Sequence, residues 1–406
     1  MDRSRAAADA VEEVFRAEHG RVLATLVRFF GDIDVAEEAL QDAMARAVER
    51  WPADGVPPNP AGWIVTTARN RGIDRIRREN RRDDRYQQAH RLDARDAPEV
   101  GPVDDDQLRL MFTCCHPALA PHARIALTLK LIGGLATGEI ARAFLVPEPT
   151  MFQRITRAKN KIRDAAIPYR IPEDHELPDR LSGVLTVLYL IFNEGYAATT
   201  GEALVRRDLS DEAIRLARVL DGLMPDEAEV QGLLGLFLLT DARRAARLDA
   251  DGHLVRLADQ DRTRWDRDRI EEGHRIVRRC LRRDQPGPFQ VQAAIAAVHA
   301  DAPTAADTDW SQIVALYDLL LRFTPSPVVR LNRAIAVAEL DGPEAALPQV
   351  EALDLVDNHL WWAALGDLHE RLGNRAEAAD ALERAASLAT NDAERTHLER
   401  RRAAIR

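Results

Sequence analysis

Cysteine, aromatic side chains and long apolar runs are all scarce in this chain. Its three cysteines are Cys114, Cys115 and Cys280, two adjacent and one remote, which is no disulfide framework. No apolar run follows a basic start, and no segment approaches the roughly 18 apolar residues that span a bilayer. Neither a secretory leader nor a membrane anchor is expected, and the expected location is the cytoplasm. Aromatic residues make up only 5% of the chain, a composition poor in strand formers. No nucleophile–base pair, phosphate loop or paired-carboxylate motif is visible, so no enzyme is expected. "CCHP", with His116, and His122 beyond it, invites a metal reading. Neighbouring side chains on a helix point about 100° apart, however, and no second ligand pair follows at a recognised spacing. No metal and no cofactor are expected.

What is present favours helix. Of 406 residues, 46% are hydrophobic and 30% charged, and the abundant Ala, Leu and Arg are helix formers. An all-α protein follows, with two to four units at about 100 to 200 residues each. The formal net charge is −10, which argues against a general nucleic-acid coat protein. It leaves room for a local basic surface, since counterion release depends on the phosphates actually contacted.

Such a surface stands out at "ARNRGIDRIRRENRR", Ala68 to Arg82. On a helix Arg71, Arg75, Arg78 and Arg82 recur at steps of four, three and four and share one face, while Ile73 and Ile76 point elsewhere. An arginine stripe of this kind suits an array of phosphates. A merely solvated helix face is the other reading.

Composition divides the chain into four segments. Residues 8–82 carry helical periodicity, broken at "WPADGVPPNP" (Trp51 to Pro60), where Pro, Gly and Asn force a loop. Residues 83–107 are polar and acidic and read as a linker. Residues 108–166 are helical again, ending at the proline-rich "IPYRIPEDHELP". Residues 179–406 form a larger helical remainder. Near its end, "LWWAALGDLHERLGNRAEAADALERAASLA" places Trp362, Leu365, Gly366, His369, Ala378, Leu382 and Ala385 in tetratricopeptide order, which predicts a repeat-like solenoid over an irregular bundle. Two polar, aromatic stretches, "LIFNEGYAAT" and "LADQDRTRWDRDRIEEG", read either as a partner surface or as internal caps and ion pairs.

"LATGEIARAFLVPEPTMFQRITRAKNKIRD" reads as a helix-turn-helix: Gly138 to Phe144 as first helix, Leu145 to Pro149 as turn, Thr150 to Arg163 as second helix. Ile140, Ala141 and Phe144 face inward. Gln153, Arg154, Arg157 and Lys161 face outward toward base edges and phosphates, and Thr150 can cap the helix or meet a phosphate.

Two basic helical modules joined by an acidic linker resemble regions 2 and 4 of a bacterial RNA polymerase sigma factor of the extracytoplasmic-function (ECF) type. "GDIDVAEEALQDAMARAVERW" is similar to the region 2 helix that docks on the polymerase clamp, and "NPAGWIVTTARNRGIDRIRREN" to the helices that recognise and open the −10 element. The helix-turn-helix is similar to the module that reads the −35 element. The resemblance implies that Asn70, Arg71 and Asp74 lie near the −10 bases and that Arg75, Arg77, Arg78 and Arg82 lie on phosphates. It also places Trp63 beside the opening bubble, with the loop Ala53 to Pro60 holding an extruded base. Glu37, Glu38, Gln41 and Asp42 would meet the polymerase while Val35, Ala39 and Ala43 pack inward.

The sequence departs from the pattern at Leu145, where the turn usually has glycine, and at Phe152, where many members carry a polar DNA-facing residue. The helical extension resembles the subgroup with a fused tetratricopeptide-like domain, a type that binds peptides or partner helices in a concave face. The implied partners are core RNA polymerase, promoter DNA, and a protein or intramolecular contact of the extension. A helical interaction scaffold and a stand-alone helix-turn-helix repressor are the alternatives; a repressor needs one reader module and no polymerase-docking helix.

Overall fold

The computed structural model describes residues 18–80, 103–144, 146–173, 175–197 and 205–405; for residues 75, 78–80 and 103–105 it describes the backbone alone. Every multi-residue element among the described residues is helical, with one isolated antiparallel bridge between Leu248 and Leu254. Two compact units divide between Val187 and Leu188.

The first unit begins with α1, residues 18–30. Gly31 turns the chain, and Asp32 caps α2 (Ile33–Asp54) by accepting the Asp34 and Val35 amide hydrogens. Ile33, Ala36, Leu40, Ala43, Ala47 and Trp51 form its buried stripe, at the three- and four-residue steps of an amphipathic helix. Gly55 ends α2 with its amide on the Trp51 carbonyl. A loop shorter than the proline cluster suggested then leads into α3 (Pro60–Asn80), because Pro52 is tolerated in the last turn of α2. Asn59 accepts the Gly62 amide at the start of α3. The two helices pack together, and Gly72 lets α3 approach the end of α1: a Cβ there would stand 2.2 Å from Phe30 Cζ.

Region 108–166 starts earlier than its composition suggested. Helix α4 runs Val103–Cys114, so the last acids of the presumed linker are helical. Asp106 is buried between Arg28, at 2.9 Å, and Arg109, at 2.8 Å, a charge made tolerable by two partners. Then come α5 (Pro121–Leu127) with its π-turn Thr128–Ile132, α6 (Thr137–Ala143) and α7 (Glu148–Asp164). Phe112, Leu127, Leu129, Leu131, Ile132 and Ile140 fill the core. Cys114 and Cys115 are buried there, and burial pushes both thiols up, Cys115 to about 11. His116 Nδ1 accepts the Ala118 amide hydrogen at 3.1 Å.

The proline-rich stretch after α7 packs into this first unit. The Tyr169 hydroxyl donates toward the Ala24 and Asp106 carbonyls, at 2.8 and 3.0 Å, and Arg180 donates to the Phe112 carbonyl at 2.9 Å. Leu181, Val184 and Leu185, early in α8 (Leu177–Tyr196), are buried.

In the second unit α9 (Arg207–Leu223) precedes α10 (Ala228–Asp241), which is buried almost all round and packs against α11 (Arg267–Arg283) and α12 (Pro288–Asp301). From there each helix packs on the next: α13 (Trp310–Phe323), α14 (Pro327–Leu340), α15 (Pro343–Glu351), α16 (His359–Arg371), α17 (Arg375–Leu388) and α18 (Asp392–Ile405). The core is correspondingly a row of clusters; Val314 borders two of them and Trp362 the last two. At the α16–α17 crossing a Cβ on Gly366 would stand 2.8 Å from Leu382 Cγ, which is the small-residue crossing expected from the sequence.

The two polar stretches serve as internal ties. Asp241, 1% exposed, pairs with Arg244 at 2.6 Å and with Arg269. Arg262 donates to the His299 and Ala302 carbonyls, at 2.5 and 2.7 Å, satisfying groups that the end of α12 leaves open. Asp266 caps α11, Trp265 is buried, and Glu194 pairs with Arg206 at 2.7 Å.

His299 gives this unit an acid sensitivity. Burial, then the nearby Arg243 and Arg262, push its imidazole down from 6.5 to about 4. The folded value lies below the unfolded one, so the unfolded chain binds the proton first. Stability is whole above about pH 6.5 and falls toward pH 4, by roughly 3 kcal/mol for a shift of this size. Thermal unfolding of His299→Gln should show a shallower decline across that window than the native chain; parallel curves would exclude His299 as the cause.

Candidate polymerase and nucleic-acid interface

Along α3 the inward positions are Ile64, Ala68 and Gly72, at steps of four, so the remaining face is free to carry polar groups. Asn70, Asp74 and Arg77 are exposed and Arg71 is half-buried. The backbone is helical through Arg75 and Arg78, which keeps both in the register of the stripe; their side chains and all of Arg82 lie outside the described residues. Arg69 lies over the Phe29 ring, 4.4 Å from its centroid. Trp63 is half-buried and meets buried Trp51 edge-on at 5.6 Å, so one face of the ring packs at the α2–α3 contact beside the loop.

On α2, Glu38, Gln41 and Asp42 are exposed, Val35 is half-buried, and Ala39 and Ala43 are buried. Glu37 differs from its neighbours. It is 8% exposed and forms an ion pair with Lys159 of α7.

Helix α7 begins at Glu148, two residues earlier than the turn chemistry suggested. Pro147 stands at the N-cap and Pro149 lies in the first turn, where a missing N–H costs no hydrogen bond. Thr150 is therefore an exposed first-turn residue, with no side-chain cap bond at this terminus. The first helix spans Thr137–Ala143 and is capped by Glu139, whose carboxylate accepts the Ala136 amide at 2.7 Å. Leu145 lies outside the described residues.

Met151, Ile155, Ala158 and Ile162 bury one face of α7. The opposite face presents Thr150, Gln153, Arg157 and Lys161, with Arg154 half-buried. Phe152, 62% exposed, lies on the other flank of the helix, the side of Lys159. A buried stripe opposed by arginine, lysine and glutamine is a composition suited to a groove-reading helix.

Lys159 and Asp34 drew no attention in the sequence. Lys159 Nζ lies 2.9 Å from Asp34 Oδ1 and also contacts Glu37 Oε2. Burial acts to lower its pKa, but the two carboxylates outweigh that effect and raise it. The one available signal was a lysine flanking the apolar stripe of α7. Among the described residues, Asp249, Asp251 and His253 in the second unit are the group whose ligand atoms converge within 4.8 Å, and they lie at the surface.

Comparison with known proteins agrees with this geometry. Residues 14–82 match the model of Sigma-70 region 2, residues 109–162 that of Sigma-70, region 4, and residues 180–281 a family of unknown function, DUF6596. An uncharacterized protein of Rhizobium meliloti (strain 1021) is 45% identical over 393 residues, covering 93% of this chain and 92% of the relative. The probable ECF RNA polymerase sigma factor SigI of Mycobacterium tuberculosis (strain ATCC 25618 / H37Rv) is 28% identical over 202 residues, 47% of this chain and 69% of the relative. The ECF RNA polymerase sigma factor SigK of Mycobacterium bovis (strain BCG / Pasteur 1173P2) is 27% identical over 162 residues, 38% of this chain and 84% of the relative. With the matches to Sigma-70 regions 2 and 4 and these relatives in place, the chain belongs to the ECF-type sigma factors, which direct RNA polymerase to promoters, and carries a C-terminal extension.

Proposed function

We propose that α3 reads and opens the −10 element, α7 reads the −35 element, and the exposed ridge Glu38, Gln41 and Asp42 docks on core polymerase. Asn70, Arg71 and Asp74 act at the −10 bases in this reading, Arg75, Arg77, Arg78 and Arg82 on phosphates, and Trp63 beside the bubble. The observation that carries it is α7, with one buried stripe and a polar, cationic face opposite, together with the exposed Asn70, Asp74 and Arg77 of α3. On α7, Gln153 and Arg154 take base edges, while Thr150, Arg157 and Lys161 hold phosphates. Phe152 offers the apolar surface that packs on a thymine methyl.

Replacing Gln153 or Arg154 with Ala is expected to shift preference at individual −35 bases by roughly 1 to 3 kcal/mol, whereas Lys161→Ala weakens all sequences alike. Transcription from a set of single-base −35 variants measures both; uniform loss for every substitution means that the reading face is misassigned.

The extension is proposed as a tetratricopeptide-like domain that completes the active arrangement and offers a surface to a protein partner. Stepwise packing from α13 to α18 supports the repeat reading. Anchoring of Tyr169 and Arg180 in the first unit supports an integral role for the chain that follows region 4.

A further inference from the structure

We propose that the second unit holds a binding site for a phosphorylated small molecule, in a cavity of about 470 Å³ that Arg207, Arg244 and Arg264 line together. The cavity lies where two short 3-10 turns, Arg244–Ala246 and Arg262–Arg264, touch. The start of α9 brings Arg207 to it, the hairpin closed by the Leu248–Leu254 bridge brings Leu248 and Asp249, and the first turn of α18 brings Ala393. All of these residues belong to the second unit, so the site is independent of how α3 and α7 meet DNA.

Its three arginines are not alike. Arg244 is already held, 2.6 Å from Asp241 and 2.7 Å from Asp211, and donates to the Ser210 hydroxyl at 3.0 Å; it is a fixed part of the wall. Arg207 and Arg264 are exposed, and neither side chain forms an ion pair or hydrogen bond with another described residue. The acids nearby do not answer them. Asp261, which precedes the second turn, accepts the Thr263 amide and hydroxyl hydrogens at 2.9 and 2.6 Å. Asp249 accepts the Asp251 and His253 amide hydrogens at 2.9 and 2.8 Å and faces His253 Nδ1 at 3.2 Å, so its carboxylate is taken up by its own hairpin. Beside the cavity the crowding of cations continues: half-buried Arg243 also lacks an ion pair among the described residues. Burial, and with it the charge of Arg243, pushes the Arg247 and Arg262 guanidiniums down from their usual range.

Two unanswered guanidiniums on one cavity define the ligand's charge. A guanidinium meets an oxyanion through parallel N–H bonds. A single carboxylate would leave one arginine without a counter-charge, whereas a phosphate carries nearly two negative charges and three acceptor oxygens on one centre. The N-terminus of α9, which no side chain caps, adds positive field at the same wall. Size argues for an ester over the bare ion, because the volume falls in the range of roughly 300 to 1,000 Å³ that small-molecule sites occupy. Val205, Leu248 and Ala393 offer the organic body an apolar wall with short side chains.

Calorimetric titration of the full-length chain at fixed ionic strength tests this. Inorganic phosphate, the group common to the class, should bind one per chain in the millimolar range. Ribose 5-phosphate should bind more tightly and compete with it, and ribose should not bind. Arg207→Ala and Arg264→Ala should each weaken phosphate by roughly tenfold to a hundredfold, the loss of a charge-assisted contact, and Arg264→Lys by less. Neither arginine has a tertiary partner to lose, and circular dichroism checks that each variant stays helical. Arg330→Ala, an exposed position on α14, should bind as the native chain does. No saturable phosphate binding, or equal binding by both alanine variants, overturns the site. Succinate binding as tightly as ribose 5-phosphate overturns the assignment to phosphate.

Discussion

Full-length chain carrying Arg75→Glu and Arg78→Glu is expected to bind core RNA polymerase as the native chain does and to open no promoter. Both positions lie on the helical backbone of α3, in register with Arg71, which is half-buried. Each arginine withdrawn from a phosphate removes a charge-assisted hydrogen bond worth about 1.5 to 3 kcal/mol. Each glutamate added repels the same phosphate, so the pair should lower open-complex formation by at least roughly a hundredfold. The log–log salt dependence should become shallower by about one for each phosphate no longer neutralised. Polymerase binding, proposed to use the exposed acids of α2, is untouched by these changes and serves as the internal control. Normal transcription by the double variant would reduce the stripe to a solvated helix face.

A chain ending after Tyr196 is expected to stay helical and to lose transcription altogether. The end point matters. Stopping at Ile167, where the proline-rich sequence suggests a boundary, would remove Tyr169 from the Ala24 and Asp106 carbonyls and Arg180 from the Phe112 carbonyl, and so would damage the first unit itself. Ending at the close of α8 keeps these ties and the buried Leu181, Val184 and Leu185. A silent but folded truncation supports an extension that completes the active arrangement. Higher activity than full length would mean that the extension masks the readers instead, and equal activity would leave it as a binding module for another partner. Circular dichroism separates inactivity from unfolding.

The helices of this protein are legible because their residues segregate at helical steps: the sequence marks Gln153, Arg157 and Lys161 as outward on α7, and the structure exposes them and buries Met151, Ile155, Ala158 and Ile162 on the other side. What escapes the sequence depends on distant partners. Asp106 reads as part of an acidic linker until Arg28 and Arg109 are brought to it. Lys159 reads as one more surface cation until α2 arrives beside it. Arg262 and Trp265 look too polar and too aromatic for a scaffold, yet both are buried, the arginine holding carbonyls at the end of α12. The start of α7 falls two residues before the position the sequence suggests, because prolines that signal a turn are equally at home in the first turn of a helix.

On the proposed function, one chain supplies polymerase docking, −10 opening and −35 reading together. Run-off transcription from a promoter library by core RNA polymerase, with and without the full-length chain, is the measurement that decides it. The chain should confer initiation at a sequence-defined subset sharing −10 and −35 elements at a fixed spacing. Initiation indifferent to either element, or none from a chain shown to bind core, would contradict it.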